Sequence, residues 1–218
     1  MTDAPYPGRE RTQVRRLPEK QVTDRAVLYA VLDACRVAHV ATTDADGQPY
    51  VLPVAYARDN DRVLVHGSTG SRLFRVLAAG APTCLTVTVL DGLVLARSAF
   101  ESSMHYRSAM VLGSCEMVPA DDTLRCLEVL TEHLMPGRWA QLRPPTAKEL
   151  AATTLLRLSL TEWSVKVSDA WPDDPADDLD EPVWAGVLPL YSTFGAPRPA
   201  PDLTHPFEPP DYVAQWTP

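Results

Sequence analysis

Apolar residues recur at helical spacing early in the chain: Val27, Val31 and Cys35, with Leu28 and Leu32, form one stripe. The spacing predicts a helix over 23–36, capped at Thr23 with Asp24 in its first turn. The period then falls to two. VAHVATT (37–43) reads as a strand, DADG (44–47) as a turn and 50–57 as the returning strand; DND (59–61) turns the chain again into a third strand, 62–66. Three strands joined by short turns predict an antiparallel meander. Pro53 lacks a backbone donor, so the second strand lies at an edge or a bulge there.

A helix starts at Ser71, carries Leu73, Phe74, Val76 and Leu77, and ends near Gly80. The runs 83–90 and 93–100 flank Asp91-Gly92 and predict a hairpin. A further β run covers 105–118. Residues 121–134 place Leu124, Leu127, Leu130 and Leu134 on one helical face, stopped by Pro136-Gly137, and a short helix follows at 147–152. The final strand, 155–167, shifts phase between Leu160 and Trp163, which predicts a bulge near Thr161 and Glu162. Six or seven strands and three helices besides the short one at 147–152 give an α+β class, mainly β, with an antiparallel barrel and flanking helices.

The ends differ in composition. Residues 1–20 are charged and Pro-containing and read as an arm, either a solvated lead-in or a basic strap against an acidic patch of a partner subunit. The body is 21–170. Eleven of the 21 prolines fall in 171–218, so that segment cannot build its own core. Its apolar run PVWAGVLPLY (182–191) is expected to dock on the barrel or on a second subunit.

Net charge is −8 with a pI near 5.1, which disfavours nucleic acid and anionic membrane as partners. Cys35, Cys84, Cys115 and Cys126 show no paired spacing and sit in apolar segments, so reduced thiols are expected and no metal site. With no signal-peptide pattern and no long apolar run, a cytoplasmic protein is expected. GxSxG, GxxxxGK[ST], HExxH and a helix-opening GxGxxG are all lacking, which removes support for hydrolase, NTPase, zincin and nicotinamide-dehydrogenase readings.

One stretch collects chemistry. In VLVHGSTGSRLFR (63–75) a strand breaks at a glycine-containing turn and restarts as a helix with Ser71 and Arg72 at its start. Backbone N–H groups, hydroxyls and a guanidinium suit a phosphate. Arg72 and Arg75 equally fit an exposed helix face. His66 at the strand end fits either a structural or a catalytic histidine. SMHYRS (103–108) fits a plain hairpin loop or a segment that contacts a cofactor.

The ordered set VLPVAY (51–56), VHGSTGSRLFR (65–75), VLDGLVLARSAF (89–100), MHYRSAMVLG (104–113), LMPGRW (134–139) and WSVK (163–166) resembles the FMN-binding split-barrel proteins related to pyridoxamine 5′-phosphate oxidase. The nearest likeness is to the 5-nitroimidazole-resistance reductases, over about residues 15–170. The resemblance implies FMN as cofactor, with Ser71 and Arg72 on its phosphate and Gly67, Ser68 and Thr69 along the ribityl chain. It also implies that the backbone at Leu52, Pro53, Val54 and Tyr56 runs along the ring, with His66 near flavin and substrate. Ser103, Met104, His105 and Arg107 would approach from a second subunit of a homodimer, and Trp184 would contact the flavin.

The chain departs from the oxidases at Leu73, where they often carry lysine after the phosphate arginine. It also lacks their C-terminal Arg-x-His run, so pyridoxamine phosphate is not the expected substrate. The expected activity is an FMN-dependent oxidoreductase acting on a small organic molecule, such as a nitro or conjugated compound, with His66 or Tyr106 delivering a proton. The alternative is a non-catalytic binding protein for flavin or for haem, with His39, His66 or His105 as iron ligand.

Overall fold

The computed structural model describes residues 10–44, 46–205 and 207–216. It divides into two units: residues up to Leu90 with Met104–Ala170, and Asp91–Ser103 with the chain from Trp171 on.

The strands are β1 (Gln21–Val22), β2 (Val37–Thr43), β3 (Pro49–Asp59), β4 (Arg62–Ser68), β5 (Pro82–Leu95), β6 (Ser103–Ser114), β7 (Glu116–Met117), β8 (Thr153–Ser159), β9 (Trp163–Ser168) and β10 (Gly186–Pro189). The helices are α1 (Arg25–Ala34), α2 (Arg72–Ala78), α3 (Thr123–Leu134), α4 (Ala147–Ala152) and α5 (Asp211–Ala214). Sheet order is β1-β9-β6-β5-β2-β3-β4-β8-β7, with β10 on β5. Among the described residues there are thus ten strands, against the six or seven expected; the additions are mostly two- to four-residue pieces without a readable period. The fold is α+β, mainly antiparallel β, and the sheet is not closed, as in a split barrel.

The meander is as the alternation predicts, and β3 explains the tolerance of Pro53. Its first half pairs with β2, Pro53 lying opposite His39, whereas β4 joins it only from Tyr56 onward. One side of the backbone is therefore without a ladder partner at Pro53. Asp24, not Thr23, caps α1, its carboxylate accepting from Ala26 N at 2.8 Å.

The two sides of β4 are both covered. Val63 and Val65 belong to the main core with Tyr56, Leu156, Leu158 and Trp163, while Leu64 packs with Ala57, Leu155 and the α3 residues Cys126 and Leu130. A strand buried on both faces needs an unbroken apolar run, and VLV (63–65) is one.

Two turn readings are corrected. Asp91-Gly92 makes no hairpin: β5 runs straight through it, and within the second unit β10 pairs with Gly92, Val94 and Leu95. A Cβ on Gly92 would stand 2.8 Å from the Leu188 carbonyl oxygen, so this glycine serves a close backbone approach. Gly92→Ala is expected to loosen β10, seen as faster proteolysis of the chain beyond Trp171. Likewise SMHYRS is no loop but the start of β6.

The predicted strand 155–167 is also two strands. β8 pairs with β4 and β7, β9 with β1 and β6, and the short turn between them joins strands that lie far apart in the sheet order. Leu160 N donates to Asp61 O and Leu112 N to Glu162 O, both at 2.9 Å, so the turn is tied to two different strand ends. The phase shift is real, but it marks a corner, not a bulge.

Residues 10–20 lie on the body of the first unit. Arg11 pairs with the buried Glu162 through Nε and Nη2. Among the described residues no helix is long and apolar enough to cross a membrane.

Candidate functional site

Strand alternation decides where His66 points. It follows Val65 on β4 and shares the face of Leu64, the side covered by α3, with Leu155 opposite it on β8. There it lines a cavity of about 440 Å³ with Leu127 and Thr131 of α3, the 139–145 segment, and Glu149, Leu150 and Thr153 around α4. The volume lies within the ~300–1,000 Å³ of small-molecule sites.

The imidazole is half-buried, and its Nδ1 is buried with no hydrogen-bond partner. Burial holds its pKa below the usual histidine value, because desolvation penalises the cation. His66 is therefore neutral at pH 7, the form that ligates metals. A neutral imidazole in a largely apolar cavity fits a haem, whose ring wants apolar walls and whose iron wants a nitrogen.

The other histidines differ. Nε2 of His105 is 2.9 Å from Ala170 O, and Nε2 of His133 is 2.7 Å from Cys35 O, which ties α3 to the end of α1. His39 is exposed on β2. Of His39, His66 and His105, only His66 lines this cavity.

The remaining predicted residues do not gather around it. Leu52, Pro53, Val54, Ser71, Arg72 and Tyr106 are absent from its lining. Tyr106 is half-buried on β6 opposite Ser168. The Tyr56 side chain is fully buried and donates to Leu32 O, so only its backbone is available to a ligand. Gly67 lies within β4, where a Cβ would stand 2.2 Å from the Phe74 ring; packing accounts for the glycine. Ser103 and Met104 are exposed at the start of β6, and Arg107 lies opposite Val167. Trp184, in the second unit, is exposed and packs against Gly186.

At the turn before α2, Ser71 makes no capping hydrogen bond. Arg72 Nη2 donates to Asp44 Oδ2 at 2.6 Å, and its guanidinium lies 5.2 Å from the centre of the Tyr50 ring, whose hydroxyl is buried without a partner. Asp44 Oδ1 also accepts from Asp46 N and Gln48 N, and these bonds, led by that to Gln48, hold its carboxyl below the usual range. Arg72 remains mostly exposed, with donors left over for an anion. Asp44 was not foreseen: its turn pattern gives no sign of an ion pair 28 residues on.

A larger cavity, about 830 Å³, lies between Arg11, Glu162, Pro82, Thr83 and the end of β6. Its buried carboxylate is already paired with Arg11, and Thr42 and Thr83 donate to backbone carbonyls. That carboxylate and those two hydroxyls are satisfied internally, and among the described residues no histidine lines this cavity.

The family model for pyridoxamine 5′-phosphate oxidase matches residues 24–167. No curated protein matches the chain in sequence. Among solved structures, the FAD and heme binding protein from Mycobacterium smegmatis is 45% identical, with 91% of this chain and 97% of that one covered and a TM-score of 0.87. The flavocytochrome Anf3 from Azotobacter vinelandii is 37% identical, covering 95% and 97%, with a TM-score of 0.88. A protein from Bacteroides thetaiotaomicron described as a 5-nitroimidazole antibiotic resistance protein shares the fold at 20% identity, covering 67% and 86%, with a TM-score of 0.57. With most of its first unit matched and a split-barrel sheet in place, the chain belongs to the pyridoxamine 5′-phosphate oxidase family.

Proposed function

We propose that this protein is a flavin- and haem-binding oxidoreductase, in which His66 ligates the haem iron and the surface around Ser71, Arg72 and the open edge of β3 holds the flavin. The observation that carries this reading is the neutral, half-buried His66 imidazole on the lining of a largely apolar cavity. The reading draws support from the Mycobacterium smegmatis and Azotobacter vinelandii proteins, one a FAD and heme binding protein and the other a flavocytochrome.

When bound, the flavin supplies two-electron and the haem one-electron chemistry. The residues of the chain bind and orient. Leu127, Trp139, Leu142 and Leu150 would give the ring apolar walls, while Arg72 and the Ser71 hydroxyl would offer donors to the flavin phosphate. FAD is the flavin preferred here over FMN, on the strength of the Mycobacterium smegmatis protein; the same anchor serves either. A small organic molecule is the substrate class that goes with a bound flavin.

The working form is a homodimer. Val37, Val51 and Leu52 are each more than two-fifths exposed on β2 and β3, an apolar surface that a second copy would cover beside the flavin. The start of β6, with Ser103, Met104, His105 and Arg107, and the exposed Trp184 are the parts assigned to completing the site across that interface.

Purified protein supplied with haem is expected to absorb near ~370 and ~450 nm from flavin and near ~400 nm from haem. Chromatography of the acid-released flavin separates FAD from FMN. Light scattering is expected to give twice the 24.0 kDa chain mass. A protein that takes up neither chromophore overturns the cofactor reading, and a clean monomer overturns the shared site.

A further inference from the structure

The His66 cavity has a wall with space on both sides. Trp139, Leu142, Arg143 and Pro145 line it, and the same four residues line a second cavity of about 360 Å³ against Leu124, Arg125 and Glu128 of α3. Arg143 and Glu149 are the two charged side chains on the lining of the His66 cavity.

They are locked together. Arg143 Nη1 donates to Glu149 Oε2 at 2.9 Å and Nη2 to Oε1 at 2.5 Å. Glu149 has other partners: it accepts from Thr146 N at 2.7 Å and from Thr146 Oγ1 at 3.0 Å, completing the capping box of α4. If the guanidinium leaves, the carboxylate keeps those donors and gains water, being half exposed. Arg143 is two-thirds exposed, and exchanging one exposed carboxylate partner for another costs little.

We infer that Arg143 is the carboxylate-binding residue of the His66 cavity, and that it exchanges Glu149 for a propionate of the haem. This rests on the haem reading above and goes beyond it. The ligand it describes is an amphipathic ring with an atom that accepts the His66 nitrogen and peripheral carboxylates that reach the rim. A planar guanidinium meets a carboxylate bidentately, and Glu149 holds it aimed beside the cavity until such a ligand arrives. Glu149 is then a competitor, and its charge next to a bound propionate is unfavourable.

The test compares haem with haem dimethyl ester, whose carboxylates are blocked, by following transfer of each to excess apomyoglobin. Wild-type protein is expected to hold haem longer than the ester. Arg143→Gln is expected to release haem at least about fivefold faster while leaving ester release unchanged, so the preference for haem disappears. Glu149→Gln keeps the capping box, which glutamine also makes, and is expected to slow haem release.

If Arg143→Gln changes both ligands alike, or neither, the arginine is not the carboxylate site. Haem release unchanged or faster in Glu149→Gln overturns the exchange. Failure of the underlying reading looks different: in that case wild-type protein takes up neither haem nor its ester, or His66→Ala binds both as wild type does.

Discussion

His66→Ala is expected to abolish the haem absorption near ~400 nm while the flavin bands near ~370 and ~450 nm persist. The separation follows from the geometry. His66 faces the α3 side of β4, whereas Ser71, Arg72 and the 52–54 segment lie outside its cavity. The substitution removes a buried nitrogen that has no partner, so the apoprotein should melt close to wild type. Free imidazole added to the variant is expected to restore part of the haem band by entering the space left. Loss of both chromophores together would place the two cofactors in one site and refute the division proposed here.

The same residue sets a pH dependence of the apoprotein. Its folded pKa lies below the unfolded value of about 6.5 because burial disfavours the cation. As pH falls below about 6.5 the unfolded chain takes up the proton first, so stability falls until the folded pKa is also passed. His66→Ala should flatten that part of the melting-point profile. Stability that rises on acidification through this window would contradict the burial argument.

The second large effect is expected at Gly67. Gly67→Ala forces a methyl to 2.2 Å from the ring of Phe74, itself buried between α2 and the core. Overpacking of this kind costs roughly 1–3 kcal/mol, or about 2–4 °C in melting midpoint for each kcal/mol in a chain of this size. Phe74→Leu in the same chain should recover much of the loss, because the two sites share one space. The control is flavin retention by the folded fraction, expected to be unchanged. A normal melt with lost flavin would show that Gly67 acts at the cofactor, where the family resemblance puts it, and not through packing.

These two neighbours mark the border between what the chain states locally and what it does not. VLVHG is legible as a strand with a histidine at its end, and period-two alternation separates His66 from Gly67. What lies over each face is not legible: Phe74 comes from the next helix, while Leu127 and Thr131 come from some sixty residues on. The phosphate-shaped turn was visible in the same way, but the pairing of Arg72 with Asp44 was not, since a turn residue carries no record of its distant partner.

The antiparallel β character, the meander, α1, α2, α3 and α4, the edge position of Pro53 and the family are legible locally, because each depends on periodicity, caps or motifs read over a few residues. That Asp91-Gly92 continues a strand, that 155–167 turns a corner, and that His66 rather than His39 or His105 reaches a cavity are set by the folded neighbourhood. Those outcomes depend on which strand lies alongside. The approach of Leu188 to Gly92 and the ties of the 160–162 turn to Asp61 and Leu112 are long-range contacts, and they override the local turn and phase signals.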